Sequence, residues 1–243
     1  SRIDKDWLQA FTEALAEDQQ QFGITLSGGD LTGTTGPLSI TITAMGTVPQ
    51  GSGVHRRGAQ EGNHVVLTGP VGDAAAGLAV IFKDLAVDMA TADMLVARYR
   101  VPDITTAIAG AVRKHANAAI DISDGLYADL QHICTASGVS ANVYAGDIEL
   151  SRECTALVRD GKLNWPGIVT GGDDYKLLLA VPDEQLEPFM KQAKAHNLTP
   201  AVIGRFTASH SHDKAVCIYD DNGRAFTLSQ SGWRHFQDMS ESG

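Results

Sequence analysis

Apolar positions recur at helical spacing near the start of the chain: Trp7, Leu8, Phe11, Leu15 and Phe22, with charged and amide side chains between them. That period predicts an amphipathic helix over residues 4–22, capped by Asp4 or Asp6. Gly23-Ile24-Thr25-Leu26 then predicts a short strand, ended by Ser27-Gly28-Gly29-Asp30. Leu38 to Met45 alternates apolar with hydroxyl side chains, the pattern of a strand with one buried face. Beyond the flexible stretch Pro49-Gln50-Gly51-Ser52-Gly53 and Arg56-Arg57-Gly58, the composition shifts. A domain boundary is expected there, giving domains of residues 1–56 and 57–243.

In the second part, His64 to Thr68 reads as a strand, and Gly69-Pro70-Val71-Gly72-Asp73 turns into an Ala-rich helix reaching about Leu85, with Asp73 as its expected cap. Further helix patterns cover 91–99 and 104–116. The apolar run Ala118-Ala119-Ile120 leads through Asp121-Ile122-Ser123-Asp124-Gly125 into a helix marked by Leu126, Leu130, Ile133 and Cys134 and closed at Gly138. Strands are expected over 139–145, 176–181 and 201–206, with a helix over 183–197. A hairpin is expected over 216–228 around Asp220-Asp221-Asn222-Gly223. Strands and helices alternate without the rhythm of a doubly wound sheet, which predicts the α+β class.

The chain has 243 residues, 43% of them hydrophobic, enough for one large domain or two small ones. Its net charge of −10 and dispersed Lys and Arg argue against a nucleic-acid footprint and against an anionic membrane surface. The cysteines, Cys134, Cys154 and Cys217, are odd in number and far apart, which points to a reducing cytoplasm rather than a disulfide framework. No apolar run approaches the roughly 20 residues of a membrane span. No signal peptide is read at the start.

Candidate chemistry gathers on acid-bearing turns. Asp121, Ser123 and Asp124 sit where a strand gives way to a helix N-terminus, a place for a cap or for a cation that neutralises phosphate. Taken alone, capping is the commoner role. Gly28-Gly29-Asp30 and Gly171-Gly172-Asp173-Asp174 place carboxylates beside residues that let a ligand approach the backbone closely, although such sequences are also ordinary turns. A Walker A loop, a Gly-x-Gly-x-x-Gly fingerprint, a zinc motif and a Gly-x-Ser-x-Gly elbow are all missing from the sequence. Trp233, in Gly232-Trp233-Arg234-His235-Phe236, suits either core packing or stacking on an aromatic ligand.

The order of these motifs resembles one family. Gly-Gly-Asp ahead of Gly36-Pro37-Leu38-Ser39, then Arg57-Gly58-Ala59, Thr68 to Asp73, Asp121 to Gly125, Gly171 to Tyr175, and Gly232 to Phe236 occur in the sequence typical of thiamine-monophosphate kinases. These belong to the superfamily of aminoimidazole-ribonucleotide synthetase. The resemblance covers essentially the whole chain and implies that superfamily's two-domain α+β fold. It also implies Mg²⁺-assisted transfer of the γ-phosphate of ATP onto thiamine monophosphate, giving thiamine diphosphate.

By matching position, Asp30, Asp121 and Asp124 resemble metal ligands, with Asp121 and Asp124 the expected catalytic acids. Gly29, Asp30, Arg57 and Ser123 resemble nucleotide contacts, and Asp173 and Trp233 fall where the family meets the thiamine substrate. The resemblance further implies a cytoplasmic homodimer built through strands such as Leu38–Met45. Residues 1–56 would then be the remainder of the nucleotide-binding and dimerisation domain. The family carries a further N-terminal segment with an Asp-Asp pair, which is expected to be lacking here, and a chain without it is expected to be weakly active or inactive. The family has Glu where Asp173 and Lys176 stand, and its Leu-Arg-Pro with a following Arg reads Arg100-Val101-Pro102-Asp103, so Arg100 receives no role. Two other readings remain open: an ATP-using relative acting on a different substrate, and a non-catalytic protein that binds ATP or thiamine phosphates.

Overall fold

The computed structural model describes residues 3–104, 106–209, 215–226 and 228. The chain divides into two compact units, Ser1–Val48 and Pro49–Gly243. In the first unit, helix α1 spans Lys5–Phe22. Its first turn is fastened by Asp4, whose carboxylate accepts from the Trp7 N–H at 2.8 Å. Gly23 ends it in the left-handed conformation. Trp7 stacks on Phe11 with ring centroids 5.2 Å apart, one helical turn bringing the two rings together.

The second unit holds a six-stranded sheet. Its strands are β1 (His64–Leu67), β2 (Ala118–Asp121), β3 (Ser140–Tyr144), β4 (Leu177–Val181), β5 (Ala201–Thr207) and β6 (Val216–Tyr219). They lie in the order β2-β4-β1-β5-β3-β6. Every neighbouring pair is antiparallel except β3 and β6. The mixture of segregated helices with a mainly antiparallel sheet is the expected α+β architecture.

Both faces of the sheet centre are covered, so β1 and β4 read as continuous apolar runs. Val65, Leu67, Leu178 and Ala180 face one cluster, where α5 (Leu126–Ser137) contributes Leu126, Leu130, Ile133 and Cys134. Val66, Leu179 and Val181 face the other, where α4 (Ala109–His115) contributes Ala111 and Val112 and α8 (Asp183–Ala195) contributes Phe189 and Ala193. A third cluster joins α2 (Asp73–Phe82), α3 (Met89–Arg100) and α6 (Arg152–Arg159) through Ala76, Leu95, Cys154 and Leu157. Helix α7 (Trp165–Thr170) leads into the second glycine-rich turn.

Several expectations need correction. Residues 24–26 and 38–45 are not in strands, and Ile42 and Met45 are 71% and 85% exposed. Alternation supplies one apolar face, but a strand also needs a neighbouring backbone, and none pairs with these segments among the described residues. The helix expected from 104 begins at Ala109. Helix α2 ends at Phe82 rather than near Leu85, with Lys83 in the left-handed conformation. The hairpin turn forms around Gly223, whose φ is 73°, but only Tyr219 and Ala225 bridge across it among the described residues. Gly138 closes α5 in the left-handed conformation as its sequence position suggested.

Phe189 is completely buried between α8 and the sheet. Phe189→Ala is expected to lower unfolding free energy by about 3–5 kcal/mol through lost burial and the cavity left behind. A urea titration should show this as a lower midpoint with an unchanged slope.

Candidate active site

Strand β2 lies at a sheet edge and pairs with β4 up to Asp121 opposite Leu177. Pairing does not stop there. The Ile122 N–H donates to the Lys176 carbonyl at 2.8 Å, the Tyr175 N–H to the Ile122 carbonyl at 2.8 Å, and the Asp173 N–H to the Ser123 carbonyl at 3.0 Å. The two acid-bearing turns, 121–125 and 171–176, are thereby held side by side. Glycine permits the approach: a Cβ on Gly172 would stand 2.1 Å from the Ser123 carbonyl oxygen, and one on Gly125 would stand 2.8 Å from that of Thr170.

The second turn is strained as well as close. Asp173 and Tyr175 have φ of 68° and 50°, the left-handed region that side chains with a Cβ rarely adopt. Such residues cost on the order of 1–3 kcal/mol each and persist where surrounding contacts hold them. Here the contacts are the three hydrogen bonds between the turns. The conformation sends alternate side chains to opposite sides. The Tyr175 hydroxyl donates to Asp173 Oδ1 at 3.3 Å, while Asp174 turns inward to α2.

Asp174 replaces the local cap that Asp73 was expected to provide. The N–H groups of Gly72 and Ala74 donate to Asp174 Oδ2 and Oδ1 at 2.7 and 3.1 Å. Asp73 instead accepts from the Ser151 hydroxyl and takes an ion pair from Arg98 Nη1 at 3.0 Å, with Glu153 on the same nitrogen at 2.8 Å. A carboxylate already committed to Arg98 and Ser151 is unavailable to its own helix. Burial pushes the Asp174 carboxyl up to about 6, with the Asp73 charge adding to it and the two capping N–H groups and Lys176 opposing it.

Nor do Asp121 and Asp124 cap α5, whose N-cap Gly125 offers no side chain. The buried Asp129 reaches back from the first turn of α5 instead, its Oδ2 accepting from the Ser123 and Asp124 N–H groups, each at 3.0 Å. Burial, assisted by the Asp124 charge, raises the Asp129 carboxyl to about 6 against those same hydrogen bonds. With the backbone fastened from below, the Asp121 and Asp124 carboxylates form no ion pair among the described residues. Asp121 is exposed and Asp124 half-buried. Unpaired hard oxygens at a strand end suit a divalent cation such as Mg²⁺. Asp124, Asp129 and His132 also offer ligand atoms within 4.8 Å of one another.

Gly29 and Asp30 belong to the first unit, both exposed, with Asp30 Oδ1 accepting from the Leu31 N–H at 2.9 Å. Arg57 is exposed and sits at the beginning of β2 rather than at its Asp121 end: its neighbour Gly58 donates to Ser137 Oγ at 3.1 Å and lies against the Asn117 carbonyl. Trp233 lies outside the described residues. Behind the second turn, a cleft of about 400 Å³ is lined by Asp73, Arg98, Asp103, Ser151, Asp174 and Lys176. Lys176 is buried there, its ammonium donating to the Asp103 carbonyl and meeting the Asp103 carboxylate at 3.3 Å.

Residues 60–216 match the family described as AIR synthase related protein, C-terminal domain. The thiamine-monophosphate kinase of Escherichia coli K12 is 37% identical over 240 residues, covering 96% of this chain and 70% of that protein. The chain belongs to the thiamine-monophosphate kinase family. The Caulobacter vibrioides thiamine-monophosphate kinase is 34% identical, covering 93% of this chain and 63% of its own length. Among solved structures, AaThiL complexed with AMPPCP and TMP superposes with a TM-score of 0.62 at 30% identity, covering 75% of this chain and 54% of that one. The chain therefore spans 54–70% of the length of these relatives.

Within this thiamine-monophosphate kinase family member, the sequence reading found the acids of both turns but missed Asp129 and Tyr175. Asp129 left a signal: an acid at a helix position between Leu126 and Leu130 that the apolar period would fill. Tyr175 left none, because nothing local announces a left-handed tyrosine.

Two outcomes follow. Gly172→Ala should separate the turns and weaken binding of Mg²⁺ and nucleotide at least tenfold by calorimetry, because backbone at 2.1 Å cannot yield to a methyl group. Asp174 carries a pH signature. Its folded pKa of about 6 exceeds the unfolded value of 3.8, so the folded state binds the extra proton. Stability contributed at this position should therefore be greatest below about pH 4 and fall as pH rises to about 6. Asp174→Asn should make that slope shallower than wild type in urea titrations across this window, the remainder coming from Asp129.

Proposed function

We propose that this chain carries the catalytic turns of an ATP-dependent kinase that phosphorylates thiamine monophosphate to thiamine diphosphate. The observation that carries the reading is the side-by-side fastening of the Asp121–Gly125 and Gly171–Lys176 turns in a member of this family. The first turn presents unpaired carboxylates for metal and nucleotide, and the second presents Asp173 toward an acceptor. The relatives named as thiamine-monophosphate kinases, and the solved protein complexed with AMPPCP and TMP, support the same assignment.

In this reading Asp121 and Asp124 hold Mg²⁺. Ser123 contacts ATP, and Asp173 and Trp233 contact thiamine monophosphate. Bound Mg²⁺ would spread the charge of the transferring phosphoryl group. The chain's own contribution is positional. Asp129 and the turn-to-turn hydrogen bonds fix the carboxylates before substrate arrives, so little reorganisation accompanies transfer.

We further read the protein as a cytoplasmic homodimer. No helix among the described residues is long and apolar enough to cross a membrane. The half-apolar stretch 38–45, with Leu38, Ile40 and Ile42 exposed, supports pairing with a second copy.

Incubating the full-length native protein with ATP, Mg²⁺ and thiamine monophosphate should yield thiamine diphosphate by chromatography. Well-folded, nucleotide-binding protein that gives none would sink the kinase reading. Asp124→Asn is expected to lower turnover by at least a hundredfold while the melting temperature stays within a few degrees of wild type. Unfolding without a rate defect would mean that Asp124 serves the fold.

A further inference from the structure

Tyr175 is held in a left-handed conformation, yet packing does not explain it. Its side chain belongs to none of the three apolar clusters, and it is 38% exposed. Tyr127, by contrast, packs against the main core. What the unusual backbone achieves is placement: the ring stands beside Asp173, its hydroxyl donating to Asp173 Oδ1 at 3.3 Å. The Tyr175 N–H, at 2.8 Å from the Ile122 carbonyl, anchors that placement to the turn bearing Asp121 and Asp124.

The surroundings define what such a ring could meet. Partial burial first, and then the charges of Asp173, Asp121 and Asp124, hold the phenol above its usual range, so it stays a neutral donor with an intact ring quadrupole. No Lys or Arg pairs with any of these three carboxylates among the described residues. An exposed aromatic face beside unpaired carboxylates attracts a flat organic cation twice over, through the quadrupole and through the carboxylate field. An anionic or neutral ring would gain from neither.

We propose that Tyr175 is a specificity-determining residue whose ring, with Asp173, receives the positively charged heteroaromatic ring of the acceptor. This rests on the thiamine monophosphate reading, in which the acceptor joins a permanently cationic thiazolium to a phosphate. Seating the cation on Tyr175 leaves the phosphate free to extend toward Asp121 and Asp124. The hydroxyl bond to Asp173 is secondary; the ring itself is the recognising group.

Calorimetric titration of the full chain with thiamine monophosphate, in the presence of Mg²⁺ and a non-hydrolysable ATP analogue, tests this. Wild type, Tyr175→Phe and Tyr175→Leu are compared after thermal melting confirms their fold. Tyr175→Phe should bind within about threefold of wild type, and Tyr175→Leu about tenfold more weakly. A phosphate ester with a neutral thiophene in place of the thiazolium should bind wild type about tenfold more weakly and be insensitive to the Leu change. A folded Tyr175→Leu protein binding as tightly as wild type, or Tyr175→Phe losing as much as Leu, overturns the proposal and leaves the kinase reading standing. Wild type that binds nucleotide but no thiamine monophosphate overturns both. Should Tyr175→Leu fail to fold, equal affinity of wild type for the cationic and neutral esters overturns the proposal, and a tenfold preference for the cation supports it.

Discussion

Backbone pairing between residues 122–123 and 173–176 is the constraint on which the site depends. It extends the β2–β4 ladder past its last regular pair and into two irregular turns. Without it, the acids of two turns some 50 residues apart in sequence would not meet at one strand end. With it, the Asp121 and Asp124 side of one turn faces the Asp173 and Tyr175 side of the other. Gly125 and Gly172 matter for the same reason, since each sits where the opposing backbone leaves no room for a Cβ.

Two further carboxylates serve the pairing without facing solvent. Asp129 holds the first turn from within α5, and Asp174 ties the second turn to the start of α2. Both carry raised pKa values because burial disfavours their charge, so each costs stability in ionised form and returns it as backbone order. The strain at Asp173 and Tyr175 belongs to the same exchange. Local free energy is spent where geometry must be fixed, while the apolar faces of β1, β4, α5 and α8 supply the stability that permits it.

Much of the second unit was legible because its periods are strong: Leu126, Leu130, Ile133 and Cys134 mark α5 unmistakably, and β4 is an unbroken apolar run, whereas the short helices α6 and α7 went unread. Leu38–Met45 misled because alternation describes a face and not a partner. Asp73 misled because capping was judged from chain neighbours, whereas the acids that serve α2 and the 121–125 turn are Asp174 and Asp129. The acids of both turns were visible in the ordered motifs. Their supports were not, since a left-handed tyrosine and a cap arriving from 100 residues away leave no local pattern.

The central claim is that the two turns form one cation-holding site. Paramagnetic Mn²⁺ substituted for Mg²⁺ tests it most directly through line broadening of assigned backbone amide signals. Substoichiometric Mn²⁺ should broaden the amides of residues 121–125 and 172–176 together, leaving those of α8 and β6 sharp. Broadening confined to one turn, or centred elsewhere in the second unit, would contradict the account.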